Sequence, residues 1–457
     1  MALKVCQLIA KGGMPLIARG LVFAPLFACA VDPSGSQSSG DLSVGETGTG
    51  TPDSGTGEDT SEDADGASTS LDDEGTTGEC QDLDGDGWTN CDGDCCDQEG
   101  GACAGNPEWV NPGAYEVPGN MVDDDCDMQV DETEGACDAD LASDSLSAED
   151  FARALDLCSF PEADPVDPAE RRWGVLEAKL TMADGGGAPH VLGHSIRPSF
   201  GNNISTLSGS SMAVLSSGVA ADVDDLAPAY MGFEPGLDAG TSVPAPEDWI
   251  DANAGTYPNP GNCEAPWNLE ANDSQMLTLT VRTPTNARSF SLGMYFMSAE
   301  YPEWVCSAFN DFFVALVDSE STTNPSDKNI AVYDDGSSTW PVGVNLVSSA
   351  GGLFSVCENG DVGCAGAQTI AYSGCQGAGE LQGTGFDEAE NGCGNTNAEQ
   401  VGGGTGWLEI RGNVEPGEVM TLRLAVWDTS GHILDSLVLL DAFEWSVDAA
   451  EPGVFIP

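Results

Sequence analysis

Between Asp82 and Asp131 the chain spaces its acidic side chains as a hard cation requires. Asp82, Asp84 and Asp86 alternate with Leu83 and Gly85, and Asp92, Asp94 and Asp97 follow. Glu116 comes next, and then Asp123, Asp125 and Asp127. Carboxylates at every second position, with glycines between, let a tight loop aim several oxygens at one point. Calcium takes about six to eight such oxygens and tolerates irregular geometry. Without a cation, that many like charges at close range repel one another and resist ionisation. These residues are therefore the expected calcium ligands. An EF-hand is excluded: Asp82, Asp84, Asp86 and Gly87 fill its first, third, fifth and sixth positions, but the twelfth falls on Gly93 where a bidentate Glu is needed.

Four short motifs frame the acids. They are Asp82-Leu83-Asp84-Gly85-Asp86-Gly87, Asp94-Cys95-Cys96-Asp97, Asn111-Pro112-Gly113-Ala114-Tyr115-Glu116 and Asp123-Asp124-Asp125-Cys126-Asp127. Together they resemble the metal-binding cassette of bacterial surface proteins related to MopE. The copper known for one member of that group is not implied, because this stretch has no histidine.

Such a stretch cannot hold itself together by apolar burial, since Trp88, Trp109, Val110 and Tyr115 are its main apolar residues. Cations and disulfides must replace a core. Of 16 cysteines, Cys6 lies in a leader and Cys29 has a separate use. Eight of the rest (Cys80, Cys91, Cys95, Cys96, Cys103, Cys126, Cys137, Cys158) fall in and around residues 80–158. The other six (Cys263, Cys306, Cys357, Cys364, Cys375, Cys393) lie beyond. Both sets are even, as a disulfide framework in an oxidising compartment requires, and no paired C-x2-C units exist to build a zinc site.

The elements that must position these residues divide the chain into five parts. Residues 1–28 form a leader, with Lys4, Lys11 and Arg19 before the apolar run Leu21–Ala28; Met14 is an alternative start. The run resembles a bacterial lipoprotein signal, with Cys29 as the lipidated residue, which implies a lipid-anchored protein of the outer membrane or cell surface. The run is too short to span a bilayer, and none of sufficient length follows. Residues 29–79, rich in Ser, Thr, Gly and acids, are expected to be a disordered acidic tether. Residues 80–137 are the Cys-rich calcium cassette. Residues 138–160 are a connector, in which a capping box at Ser147–Asp150 opens a short helix carrying Phe151, Ala154, Leu155 and Cys158 on one stripe. Cys137 and Cys158 can bridge across it.

Residues 161–457 form the last part, and from Trp173 onward they alternate as half-buried strands do. Strands are expected over 174–182, 211–215, 276–282, 289–296, 312–317, 330–333, 407–411, 420–427 and 434–445, with turn residues between. The fold class is mostly β: an antiparallel β-sandwich behind a small disulfide- and calcium-stabilised, loop-rich module. Gly351–Gly406 reads as a loop insertion held by bridges such as Cys357–Cys364 and Cys375–Cys393. Phe296–Phe313, with Ser298-Ala299-Glu300-Tyr301-Pro302-Glu303 and Phe309-Asn310-Asp311-Phe312, and the closing Asp435-Ser436-Leu437-Val438-Leu439-Leu440 resemble the choice-of-anchor L domain of bacterial surface proteins. The resemblance implies surface attachment and no established activity. Glu300, Glu303, Asn310, Asp311 and Asp435 form a possible second metal site at sandwich loops, against the alternative that they cap turns.

The formal charge of −63 excludes nucleic acid and anionic membrane surfaces as partners and leaves divalent cations and surface glycan or protein ligands. Enzymatic constellations fail. His190 and His194 lack the Glu of a zinc protease motif, Ser211 lacks the last glycine of a nucleophile elbow, and His432 between Asp428 and Asp435 reads as a turn. Acid pairs such as Asp224/Asp225 and Asp334/Asp335 are expected by chance in so acidic a chain. The reading is a non-enzymatic, calcium-binding surface lipoprotein for adhesion or ligand binding, with Trp249, Tyr257 or Trp267 as a candidate aromatic platform. A glycan hydrolase using sandwich carboxylates and a passive coat or stalk component are the alternatives.

Overall fold

The computed structural model describes residues 80–98, 103, 105–133, 135–167, 170–349, 351–366, 368–387, 393 and 402–457. The leader, Cys29 and the expected tether lie outside the described residues.

Strand-forming runs separated by glycine, proline and asparagine build two antiparallel sheets from twelve strands. In chain order these begin with β1 (Gly174–Thr181), β2 (His194–Arg197), β3 (Met212–Ser216) and β4 (Ser242–Pro244). Next come β5 (Glu270–Arg282), β6 (Ser289–Ser298), β7 (Phe312–Asp318) and β8 (Gly403–Gly404). The series ends with β9 (Leu408–Asn413), β10 (Val419–Asp428), β11 (Ser436–Ser446) and β12 (Gly453–Phe455). One sheet runs β1-β5-β10-β7 with β4 beside β5; the other runs β12-β9-β6-β11-β3-β2 with β8 beside β6.

The sheets face each other through alternate residues. Leu277, Leu279 and Val281 of β5 and Leu422, Leu424 and Val426 of β10 share one buried core with Phe290, Leu292, Met294 and Phe296 of β6 and Val438 and Leu440 of β11. Part of the intervening set is buried as well, whereas Thr278 and Thr280 of β5 and Thr421 and Arg423 of β10 stay half-buried. Phe312, Val314 and Leu316 of β7 and Ala425 and Trp427 of β10 pack with Trp249 and Ile250 of the helix Glu247–Ala252 and with Tyr257. Across the molecule, Tyr295, Met297, Leu437 and Leu439 pack under Phe233, Leu381 and Phe386. Loops and a helix thus cover part of each outer face, so β7, the second half of β6 and the first half of β11 are buried on both faces, while β5 and the first half of β10 alternate towards their ends at Arg282 and Val419. Trp249 and Tyr257 are core residues, 0% and 5% exposed, and form no platform.

Several expected boundaries move. β5 begins at Glu270, six residues before Met276, because its first turn of strand is buried yet polar: Asn272, Asp273, Ser274 and Gln275 are each 3% exposed or less. The strand expected at Ile330 starts at Val332 and pairs only with Thr339–Pro341. A short helix, Ala148–Arg153, forms after Ser147, but no capping box closes it: Ser147 makes no side-chain cap, and Asp150 accepts from Ser145 Oγ and Arg153 instead. Phe151, Ala154 and Leu155 are fully buried, with the last two already past the helix end. No helix among the described residues is long and apolar enough to cross a membrane.

Seven disulfides brace the described residues. Cys80–Cys91, Cys95–Cys126 and Cys96–Cys103 lie in the cassette, and Cys137–Cys158 spans the connector as expected. Cys263–Cys306, Cys357–Cys375 and Cys364–Cys393 lie in the sandwich. The last two correct the expected Cys357–Cys364 and Cys375–Cys393 pairings. The hairpin Gly360–Val362/Ile370–Tyr372 pairs Gly360 with Tyr372, and continuing that antiparallel register brings Cys357 opposite Cys375.

Candidate metal centres

The cassette contains the same loop twice. Residues 82–88 and 123–129 each carry Asp at the first, third and fifth places. In both, the sixth N–H donates to the first carboxylate: Gly87 to Asp82 at 3.2 Å, Met128 to Asp123 at 3.0 Å. The fifth N–H donates to the third, Asp86 to Asp84 at 3.2 Å and Asp127 to Asp125 at 3.1 Å. The seventh donates to the fifth, Trp88 to Asp86 and Gln129 to Asp127, both at 2.8 Å. The backbone follows suit, with positive φ at the fourth and sixth places: Gly85 (89°) and Gly87 (97°), then Cys126 (60°) and Met128 (75°). Glycine takes that conformation freely, whereas Cys126 and Met128 hold it at a cost that their surroundings must offset.

This winding turns the free oxygens inward. Asp82, Asp84 and Asp86 present oxygens within 4.8 Å of one another, and so do Asp84, Asp94 and Asp97. In the second loop the groups are Asp123, Asp125 and Asp127, and Glu116, Asp125 and Glu132, at the same spacing. The third position, Asp84 or Asp125, is shared between the two groups of its loop. The acids therefore converge on two centres instead of one, joined through Cys95–Cys126. Asp92 stands apart and accepts from Thr89 Oγ1 at 2.6 Å. Glu132 joins the group with little sequence signal beyond its place nine residues after the Asp that opens the second loop.

Several of these oxygens have no hydrogen-bond partner. Asp84 Oδ2, Asp86 Oδ2, Asp94 Oδ2 and Glu132 Oε2 are buried and unpaired. Burial, reinforced by the Asp84 and Asp94 carboxylates, pushes Asp86 up to about 7, and burial with Asp97 and Asp84 pushes Asp94 to about 6. Burial also raises Glu116 to about 7 although three backbone N–H groups bond to it. One basic side chain offsets this locally: Arg172 Nη1 lies 3.3 Å from Asp125 Oδ2.

The Asn111–Glu116 segment docks the cassette on the turn between β5 and β6. Thr285 N donates to Gly113 O, and Thr285 Oγ1 to Asn111 Oδ1 at 2.7 Å. Trp88, 4% exposed, lies under Gly113, where a Cβ would strike its ring, and Arg171 stacks on it at 4.7 Å.

A second acidic group lies at one end of the sandwich. The register sets Phe312 opposite Trp427 and Ser298 opposite Ser436. Asp311, just before β7, and Asp428, closing β10, therefore meet Glu300, just after β6, and Asp435, just before β11. All four are buried, at 0%, 2%, 3% and 0% exposure respectively. Asp311 accepts from Thr429 N at 3.0 Å and Ser436 Oγ at 2.7 Å, and Asp435 from Leu237 N at 3.3 Å. Burial, with the other acids alongside, holds all four well above the usual carboxylate range. Of the five residues expected here, Glu300, Asp311 and Asp435 come together. Asn310 instead accepts from Asn345 N at 2.8 Å, and Glu303 is half-buried with its carbonyl bonded to Ala365 N. The sequence alone places Asp428 in a turn; only the sheet register brings it into the group.

Residues 238–445 match the family model of the choice-of-anchor L domain. Neither a curated protein nor a solved structure matches the chain. The choice-of-anchor L match includes β4 to β10 and almost all of β11, together with the whole buried acidic group. The cassette and β1, β2 and β3 precede it, although those strands complete both sheets. A choice-of-anchor L domain points to a surface-associated role and not to catalysis.

The residues set aside as enzymatic candidates have structural partners. His194 Nδ1 bonds to Gln275 Oε1 at 2.9 Å, and His190 Nδ1 accepts from Leu192 N. Ser211 donates to Asp138 O just before β3, Asp225 pairs with Arg197 at 2.6 Å, and Asp335 accepts from Trp340 Nε1. His432 Nδ1 lies 2.8 Å from Asp273 Oδ2.

Proposed function

We propose that the chain is a calcium-binding, non-enzymatic surface protein, in which the cassette takes one ion in each of its two loops and so braces the sandwich for ligand binding or adhesion. The observation that carries this is the repeated loop. Two segments of different sequence adopt the same hydrogen bonding and the same positive-φ positions, and each converges carboxylates at ligand spacing with oxygens left unpaired. A solvated acidic tract has no reason to do so twice. Hard oxygen donors without nitrogen or sulfur select calcium over transition metals. A lipid on Cys29, outside the described residues, would anchor the protein at the outer membrane or cell surface.

For the ligand, a glycan or a protein, Trp267 offers an exposed aromatic side chain. It is 66% exposed and packs edge-on against Phe309 at 4.8 Å, which in turn meets Trp304 at 4.7 Å. The decisive experiment is calorimetric titration of the oxidised, chelator-treated chain with calcium. Binding at roughly 10⁻⁴ to 10⁻³ M, as for extracellular modules, is expected. A flat trace would reject the reading.

A further inference from the structure

The buried acids of the sandwich pose a separate physical problem. Glu300, Asp311, Asp428 and Asp435 place four carboxyl groups in the protein interior, and among the described residues no Lys or Arg is ion-paired to any of them. Buried carboxylates must be neutralised by protons, a basic partner or a metal. Protons remove the charge but do not supply hydrogen-bond partners. Asp311 and Asp428 lie close enough to share one, which leaves the other carboxyls to be satisfied separately. Glu300 Oε2, Asp435 Oδ1 and both oxygens of Asp428 still have no hydrogen-bond partner of good geometry. A protonated carboxyl needs an acceptor as much as a carboxylate needs a donor.

The surroundings are shaped for the group. A Cβ at Gly218 or Gly236 would collide with the Asp435 carboxylate, so two bare backbones make its cradle. A cleft of about 230 Å3, walled by Trp304, Phe309, His432 and Ile433, leads inward to Glu300 and Asp428. It gives an ion a way in. His432 is already committed to Asp273, leaving an all-oxygen donor set.

We propose that Glu300, Asp311, Asp428 and Asp435 bind a divalent cation of the calcium type inside the sandwich, at a site independent of the cassette. Among the described residues, no three of these acids already share the close spacing of the cassette groups. Ion binding therefore draws them together, chiefly by rotating Glu300 and Asp428, which carry oxygens left without a hydrogen-bond partner. The ion ties the end of β6, the start of β7, the end of β10 and the start of β11 across the two sheets.

The test uses the full oxidised chain with its cassette silenced by D84N, D86N, D125N and D127N. After exhaustive chelation and calcium reloading, this chain should retain about one calcium ion, measured by elemental analysis, and calcium should raise its melting temperature. Adding Asp428→Asn should abolish both effects; if that variant does not fold, Glu300→Gln replaces it. A silenced chain that binds no calcium and melts identically in calcium and in chelator would overturn the proposal. So would undiminished calcium binding after Asp428→Asn or Glu300→Gln. The cassette reading is judged separately, by the calcium lost between the unaltered and the silenced chain.

Discussion

Asn286 holds Tyr115 as a neighbouring strand would: Tyr115 N donates to Asn286 Oδ1 at 3.1 Å, and Asn286 Nδ2 donates to Tyr115 O at 2.8 Å. Asn286 is 1% exposed, so both bonds are sheltered from water. Asn286→Ala leaves a buried N–H and C=O unpaired, at a cost of about 1–3 kcal/mol. The loss falls on the cassette's attachment and not on the core between the sheets. Limited proteolysis should therefore cut within the cassette faster in N286A, while the main thermal transition moves little. Equal cleavage rates would show that docking does not depend on this pair.

Asp84 and Asp92 provide a matched comparison. Both are Asp residues of the first half of the cassette, but Asp84 belongs to two carboxylate groups and Asp92 to none. Asp84→Asn should remove the calcium response of that loop, while Asp92→Asn leaves it in place and loses only the bond from Thr89. At calcium a hundredfold above the dissociation constant, each occupied site adds about 2.7 kcal/mol of stability. Chelator should thus lower the unfolding midpoint of the unaltered chain more than that of D84N. An identical shift in D84N and D92N would contradict the division of the acids.

How far such a division is visible before folding depends on where its signal lies. The D-x-D-x-D runs are local, so Asp82, Asp84, Asp86, Asp123, Asp125 and Asp127 are legible as candidate ligands from spacing alone. That they fold into two separate carboxylate clusters is not, because nothing local separates them. The sandwich strands were legible wherever one face was apolar. The apolar pattern starts β5 six residues late because Asn272 to Gln275 are buried through hydrogen bonds and not through hydrophobicity: Asn272 Nδ2 reaches Gly431 O, and Ser274 Oγ accepts from Ala183 N. Asp428 entered the buried acidic group through a register between strands distant in sequence, which no window along the chain contains.

The Cys357–Cys375 bridge closes a separation of 18 residues around a three-residue ladder too short to persist alone. Replacing both cysteines with alanine should destabilise this excursion by about 2–4 kcal/mol, through the added freedom of the unfolded chain. Peptide mapping under non-reducing conditions should recover Cys357 linked to Cys375 and Cys364 linked to Cys393. Recovery of Cys357 linked to Cys364 would refute the register that aligns the hairpin.

Asp441 sits in β11 with no exposed surface, accepting from Leu207 N at 2.6 Å and from Ala442 N at 2.7 Å. Burial pushes it up to about 6, with the Asp156 carboxylate adding to the shift, while the backbone N–H groups hold it back. The folded chain therefore keeps this proton over a pH range in which the unfolded chain, with an ordinary Asp near 3.8, has lost it. Below that ordinary value both states are protonated and the group costs nothing. As pH rises towards 6 stability falls, and above 6 the full cost, about 2–3 kcal/mol, persists. Asp441→Asn retains an oxygen for Leu207 N and cannot ionise. In chelator, the stability of D441N relative to the unaltered chain should climb between pH 4 and pH 6 and then level off. A difference independent of pH would show that Asp441 ionises in the folded chain as readily as in water.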